Sequence, residues 1–282
     1  MPFRCEGSVV FIPDQKEPEE ALRRTTHLAI GAHQDDLEIM AYHGILRCYG
    51  TDDRWFSGVT VTDGAGSPRT GIYADLTDGD MCSVRKLEQN KAALVGEFAA
   101  MIQLNHPSKA AKDPANSSVV DDLTDLLTST RPECLYTHNL ADKHDTHIGV
   151  ALKTIQALRG LPRDLRPKTV YGCEVWRDLD WLLDEDKVGL DVAGRDNLAA
   201  ALLGVFDSQI CGGKRYDLAT IGRRRAHATY HASHATDETT SLTFAMDLMP
   251  LVEDASLDPA KYVAGLIRRL SDDVVARIER MS

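Results

Sequence analysis

The chain has 282 residues, 43% hydrophobic and 27% charged, proportions that fit a globular protein of one large or two small domains. A formal net charge of −11 opposes non-specific binding to nucleic acid or an anionic membrane. Six cysteines without C-x-x-C spacing exclude a zinc ribbon or redox pair, and they read as buried thiols of a reducing cytoplasm.

Residues 26–32 are short and apolar, and predict a first strand. A helix is predicted over 36–46, where Leu37, Met40, Ala41 and Ile45 recur at helical spacing. A second strand follows over 56–62, closed by the turn Asp63-Gly64-Ala65-Gly66. The pattern then predicts a helix over 83–101 with Ser83 as N-cap, a short strand over 101–104 and a helix over 116–127. A strand over 134–137 leads through a polar loop, 139–144, into a long helix over 147–158. Residues 169–175 read as another strand.

Strands alternating with helices imply a parallel α/β sheet. Beyond Trp176 the segments 197–209, 214–233 and 259–280 read as helices, a helical C-terminal extension. With no linker composition between the parts, the chain reads as a single domain over 1–282: a core over about 26–210 and an extension over about 211–282. Residues 1–13 lack an apolar signal core, and no run reaches the ~20 apolar residues of a membrane span. A cytoplasmic protein is the expectation.

Two clusters carry chemistry. His33-Gln34-Asp35-Asp36 stands where the first strand turns into a helix, the end at which open α/β sheets bind ligands. Charges buried there are costly unless paired or bound to metal. The second cluster, Asp142-Lys143-His144-Asp145-Thr146-His147, also follows a strand and opens a helix. In the common strand order 3-2-1-4-5 the two strands are neighbours and the clusters line one crevice. Taken singly, His33 is an ordinary loop histidine, and Asp36, Asp142 and Asp145 are helix caps. Together they supply three His/Asp ligands with an open position, the recipe of a catalytic zinc site, plus a spare carboxylate as base and a spare histidine. Spacing leaves open which aspartate and which later histidine does which job. Iron or cobalt suits the same donors.

The run from Leu28 to Glu38, containing Ala32-His33-Gln34-Asp35-Asp36-Leu37-Glu38, resembles the A-H-P-D-D-x-E opening of the PIG-L/LmbE-like N-deacetylases. Thr62-Asp63-Gly64, Arg85-Lys86-Leu87-Glu88, the run Asn139 to His147 and Asp207-Ser208-Gln209 resemble further motifs of that family, in the same order. The resemblance implies a Rossmann-like three-layer fold and zinc-dependent removal of N-acetyl groups from amino sugars of the N-acetylglucosamine type. It implies His33, Asp36 and His147 as metal ligands, Asp35 as general base, and His144 as oxyanion stabiliser or proton donor. Arg85 is implied at the substrate's hydroxyls or phosphate, against an ion pair with Glu88 on an exposed helix; Asp142 is placed beside it at the substrate.

Three positions depart from the pattern. Gln34 replaces a proline, Thr146 an aspartate that orients a histidine, and Ile148 a basic residue; either Asp142 or Asp145 takes the orienting role, or the histidine is weakly oriented and the enzyme slower. Downstream, His227, His231 and His234 share a helical face, read as pocket wall or subunit contact. A sugar-binding or regulatory protein on the same scaffold is the alternative function, favoured by Thr146 and opposed by the retention of Asp35. A dinucleotide enzyme is excluded because G-x-G-x-x-G is absent and Asp35-Asp36 would repel a pyrophosphate. The expected partner is a small amino-sugar compound; homo-oligomerisation is compatible with all of this.

Overall fold

The computed structural model describes residues 3–282, so the first two residues of the expected domain lie outside it. One eight-stranded sheet runs through the molecule. In chain order its strands are β1 (Val9–Phe11), β2 (His27–Gly31), β3 (Phe56–Thr62), β4 (Ala100–His106), β5 (Cys134–His138), β6 (Thr169–Cys173), β7 (Val188–Asp191) and β8 (Leu242–Asp247). Across the sheet the order is β1-β4-β3-β2-β5-β6-β8-β7. The five central strands are parallel, and β1, β8 and β7 add antiparallel edges. The central order is the expected 3-2-1-4-5, with β2 and β5 adjacent.

Helices cover both faces, and strand periodicity sorts the core accordingly. Leu28 and Ile30 point to one apolar cluster, which includes Leu126, Val150 and Leu158. Ala29 points to the other, with Leu37, Phe98 and Leu202. All seven residues of β3 are buried, as expected of a parallel strand covered on both sides. The three-layer α/β architecture is therefore the one the sequence implies.

Several boundaries differ. The helix expected over 36–46 is two helices, α2 (Asp36–Met40) and α3 (Tyr42–Cys48), broken at Ala41, whose φ and ψ are −111° and 19°. The helix expected from Ser83 starts earlier, as α4 (Asp78–Val95), because Thr77 and Asp80 close a capping box. It also stops earlier, at Gly96 and at Glu97 with φ of 53°. Residues 100 and 101 therefore belong to β4. Beyond Trp176 the chain holds the expected helices, including α8 (Asp196–Gly204), α10 (Tyr216–Tyr230) and α12 (Pro259–Met281), but also β7 and β8, which the sequence reading missed. Short buried runs such as Leu242 to Met246 carry no periodicity that separates strand from helix.

Candidate metal centre and active site

β2 and β5 end side by side and deliver the two clusters to one crevice. At the end of β2 the chain turns through Asp35, whose φ of 95° and ψ of −29° are unfavourable for a residue with a Cβ. The turn is held: the Asp35 N–H donates to Gln89 Oε1 (3.2 Å), the His33 N–H donates to Asp36 Oδ2 (2.7 Å), and Arg85 donates to the Gln34 carbonyl. At the end of β5 the polar loop leads into α7 (Asp145–Gly160). His144 caps α7, its Nδ1 accepting the Thr146 N–H at 3.3 Å.

His33 Nδ1 lies 3.2 Å from His147 Nε2 and 3.4 Å from Asp36 Oδ2, and His147 Nε2 lies 3.4 Å from Asp36 Oδ1. A tetrahedral ion with bonds of 2.0–2.1 Å separates its ligand atoms by about 3.3 Å. The implied ligand set is thus spaced as such a site requires, with Asp36 turning a different oxygen to each histidine. Two overlapping donor groups share His147 with it: His33, His144 and His147, and Asp36, His138 and His147. His138 is already engaged. Its Nε2 accepts the Ala32 N–H at 2.9 Å, 3.3 Å from Asp36 Oδ2, and its ring stacks on His147 at 3.9 Å.

Sequence reasoning missed His138. Its only signal was a histidine ending the strand beside the first motif, in a position that ordinarily reads as strand. It is wholly buried, and its Nδ1 has no hydrogen-bond partner.

Asp35 is buried beside this triad, with Oδ1 3.6 Å from Arg85 Nη2. Burial pushes its carboxyl up to about 7, against the downward pull of Arg85. Asp36 behaves oppositely: burial pushes it up, but His147 and His138 outweigh burial and hold it well below the usual range. Two adjacent carboxyls therefore differ in character, one acidic and one poised near neutrality.

Arg85 is not on an exposed surface, nor paired with Glu88. It is 2% exposed and donates to Ser67 Oγ at 2.6 Å. Glu88 instead accepts from the Ser208 N–H (2.8 Å) and Oγ (2.6 Å), which ties the Asp207-Ser208-Gln209 segment to α4. Asp142, expected at the substrate, sits behind His147. Its carboxylate accepts the N–H groups of His144 (2.9 Å) and Trp176 (3.1 Å), and its Oδ1 is 3.4 Å from His147 Nδ1, a charge contact rather than an aligned hydrogen bond. Asp145 is exposed. Of Asp142 and Asp145, the carboxylate beside His147 is thus Asp142.

A cavity of about 380 Å³ opens over these groups. His33, Asp35, Asp36, His144 and His147 line it together with Arg85, Ser67, Trp176, Gln209, Lys112, Lys214 and Tyr216. Trp176 meets Tyr216 edge-on at 5.9 Å, and Lys214 Nζ sits 5.0 Å from the Trp176 ring. His227, His231 and His234 are not among the lining residues, which corrects the pocket-wall expectation. His227 Nε2 is bound to the buried Glu174 at 3.0 Å, and His234 lies exposed beyond α10.

The PIG-L family, described as GlcNAc-PI de-N-acetylase, matches residues 28–158. No curated protein matches the chain. Among solved structures, a conserved protein of Thermus thermophilus is similar at a TM-score of 0.60 and 15% identity, over 79% of this chain and 94% of that one. The N,N'-diacetylchitobiose deacetylase of Pyrococcus horikoshii follows at 0.59 and 16%, over 78% and 83%. The 4-carboxy-2-hydroxymuconate hydratase of Pseudomonas putida is similar at 0.57 and 15%, over 79% and 95%. At these identities the likeness is one of fold, and the fold serves more than one reaction. Residues 28–158, which carry both motif clusters and bring them to one crevice, are the segment that matches the PIG-L family.

Proposed function

We propose that the protein is a metal-dependent hydrolase that removes the N-acetyl group from an amino sugar of the N-acetylglucosamine type, or from a conjugate of one, and that it works as a single domain. The observation that carries this reading is the trio of donor atoms on His33, Asp36 and His147, 3.2–3.4 Å apart, with a second buried carboxyl beside it. His33, Asp36 and His147 would hold the ion, zinc by donor type, although iron or cobalt suits it too. A divalent ion in this position lowers the pKa of water toward ~7 and polarises an amide carbonyl.

The chain's own groups supply the rest. Asp35 takes the proton of the attacking water, a task suited to a carboxyl pushed up to about 7. Arg85 fixes Asp35 and keeps its pKa from rising further. His144, half-buried at the wall of the cavity, faces the position where the tetrahedral oxyanion forms and the amine departs. Asp142 orients His147 from behind. The indole of Trp176 offers a face for a sugar ring. Support also comes from the description of the matching family and from the chitobiose deacetylase among the structural neighbours.

The hydratase neighbour gives a second reading, addition of water to an unsaturated carboxylate, for which Lys112, Lys214 and Arg85 provide cations at the cavity. An acetate-release assay on N-acetylglucosamine, its phosphates and N,N'-diacetylchitobiose, run beside hydration of unsaturated dicarboxylates, separates the two. The deacetylase reading expects acetate release that a chelator abolishes and zinc restores. It also expects Asp35→Asn to cost about 10²–10⁴ in kcat. Hydration without acetate release, or full activity of Asp35→Asn, would overturn it.

A further inference from the structure

Helix α12 is held to the body by its first half only. Tyr262, Val263 and Leu266 pack on the core, the Tyr262 hydroxyl donates to the Asp247 carbonyl at 2.7 Å, and Arg269 pairs with Glu185 and Asp186. No residue of the helix is fully buried. Five of its apolar side chains, Ile267, Val274, Val275, Ile278 and Met281, are 45–81% exposed. At 100° per residue, Ile267, Leu270, Val274, Ile278 and Met281 form one narrow stripe. Its centre lies about 70° round the helix from the mean direction of Tyr262, Val263 and Leu266, and Val263 falls within its arc. The chain's own core thus covers this face only at Val263 and in part at Leu270, and leaves Ile267, Val274, Ile278 and Met281 exposed, a strip of the kind that marks an interaction surface.

The charges beside the stripe select its occupant. A second α12 laid antiparallel, with a two-fold axis at Val274, sets Val274 against itself, Leu270 against Ile278 of the second copy and Ile267 against Met281 of the second copy. On one flank Asp273 and Arg277, already paired at 2.7 Å within the helix, meet Arg277 and Asp273 of the second copy. A parallel two-fold pair would set this flank against the opposite one, which carries Ser271 and Val275, and the exchange of charges would be lost. We propose that α12 is a homodimerisation arm, pairing antiparallel with the α12 of a second chain across a two-fold axis at Val274. Such isologous pairing is the commonest closed assembly. The shared stretch is short, about 21 Å for 15 residues, so association on the order of micromolar is expected.

Sedimentation velocity over a concentration series tests this on the full chain. Wild type should pass from one-chain to two-chain mass. Val274→Asp with Ile278→Asp should remain one chain while keeping the far-UV spectrum and thermal midpoint, since both side chains project from the body. Arg277→Asp alone should weaken the dimer roughly tenfold, and adding Asp273→Arg should restore it. In a Cys211→Ser background, Val274→Cys should cross-link to a dimer on oxidation with copper phenanthroline, and Asp272→Cys should not. Wild type that stays one chain throughout would overturn the proposal. So would a dimer indifferent to the Val274 and Ile278 changes, or capture of the one-chain species on anionic vesicles through those two residues, which would give the stripe to a membrane surface.

Discussion

Asp35 and Asp36 are neighbours in sequence and opposites in chemistry. Asp36 faces three histidine nitrogens, which hold its carboxyl well below the usual range, whereas Asp35 faces one guanidinium from a buried position and is pushed up to about 7. If Asp35 is the base, it acts when ionised, and the acid limb of kcat/KM follows its titration. Arg85 pulls that pKa down, so Arg85→Met should move the acid limb to higher pH, which a pH profile of the metal-loaded enzyme reads directly. An unmoved limb would remove Asp35 from the role. Asp142 acts one layer back. Asp142→Asn leaves every proposed ligand in place but weakens the charge behind His147, so metal affinity should fall about 10–100-fold in a chelator competition. A variant that binds metal as tightly as wild type would make Asp142 a loop-capping residue only.

The elements explain why these side chains meet, and why some were easier to foresee than others. β2, β3 and β5 were legible because parallel central strands are short, apolar and buried on both faces. The His33–Asp36 turn was legible because carboxylates at such a strand end require a reason. The break at Ala41 was not, since Leu37, Met40 and Ile45 keep one helical spacing across it. β7 and β8 were not, because antiparallel edges met after long helices look like helix or loop in isolation. The burial of Arg85 was not legible because a charged residue in a polar helix reads as exposed, while its surroundings, Asp35, Ser67 and the Gln34 carbonyl, come from distant segments. The fit of α7 on α5 (Ser108–Lys112) is equally invisible in one dimension. A Cβ on Gly149 would lie 2.5 Å from the Ala111 carbonyl oxygen, and backbone cannot yield as a flexible side chain does. Gly149→Ala should therefore destabilise by about 1–3 kcal/mol in denaturant unfolding, despite the better helix propensity of alanine.

At the scale of the whole molecule the site is a cost borne by the fold. Glu38 is wholly buried next to the motif; Gln89 donates to its Oε1 at 2.8 Å and its Oε2 has no partner. Burial pushes it up to about 8 from an ordinary 4.5. A carboxyl raised on folding contributes stability fully present below about 4.5 and lost as pH rises through about 8. Glu38→Gln cannot ionise. Its thermal midpoint should exceed that of wild type at pH 8, and the difference should shrink toward zero as pH falls to 4.5. A constant difference across that range would mean packing, not ionisation, sets it. Among the described residues no helix is long and apolar enough to cross a membrane, and the large exposed apolar stripe of α12 is assigned to a second copy of the chain.

The central claim is that His33, Asp36 and His147 hold one catalytic ion. Elemental analysis of wild type, Asp36→Ala and His147→Ala, each loaded with zinc and desalted, tests it most directly. The account predicts about one zinc per wild-type chain, lost in both variants while their folds persist. Wild type that retains no metal, or variants that retain it in full, would contradict it.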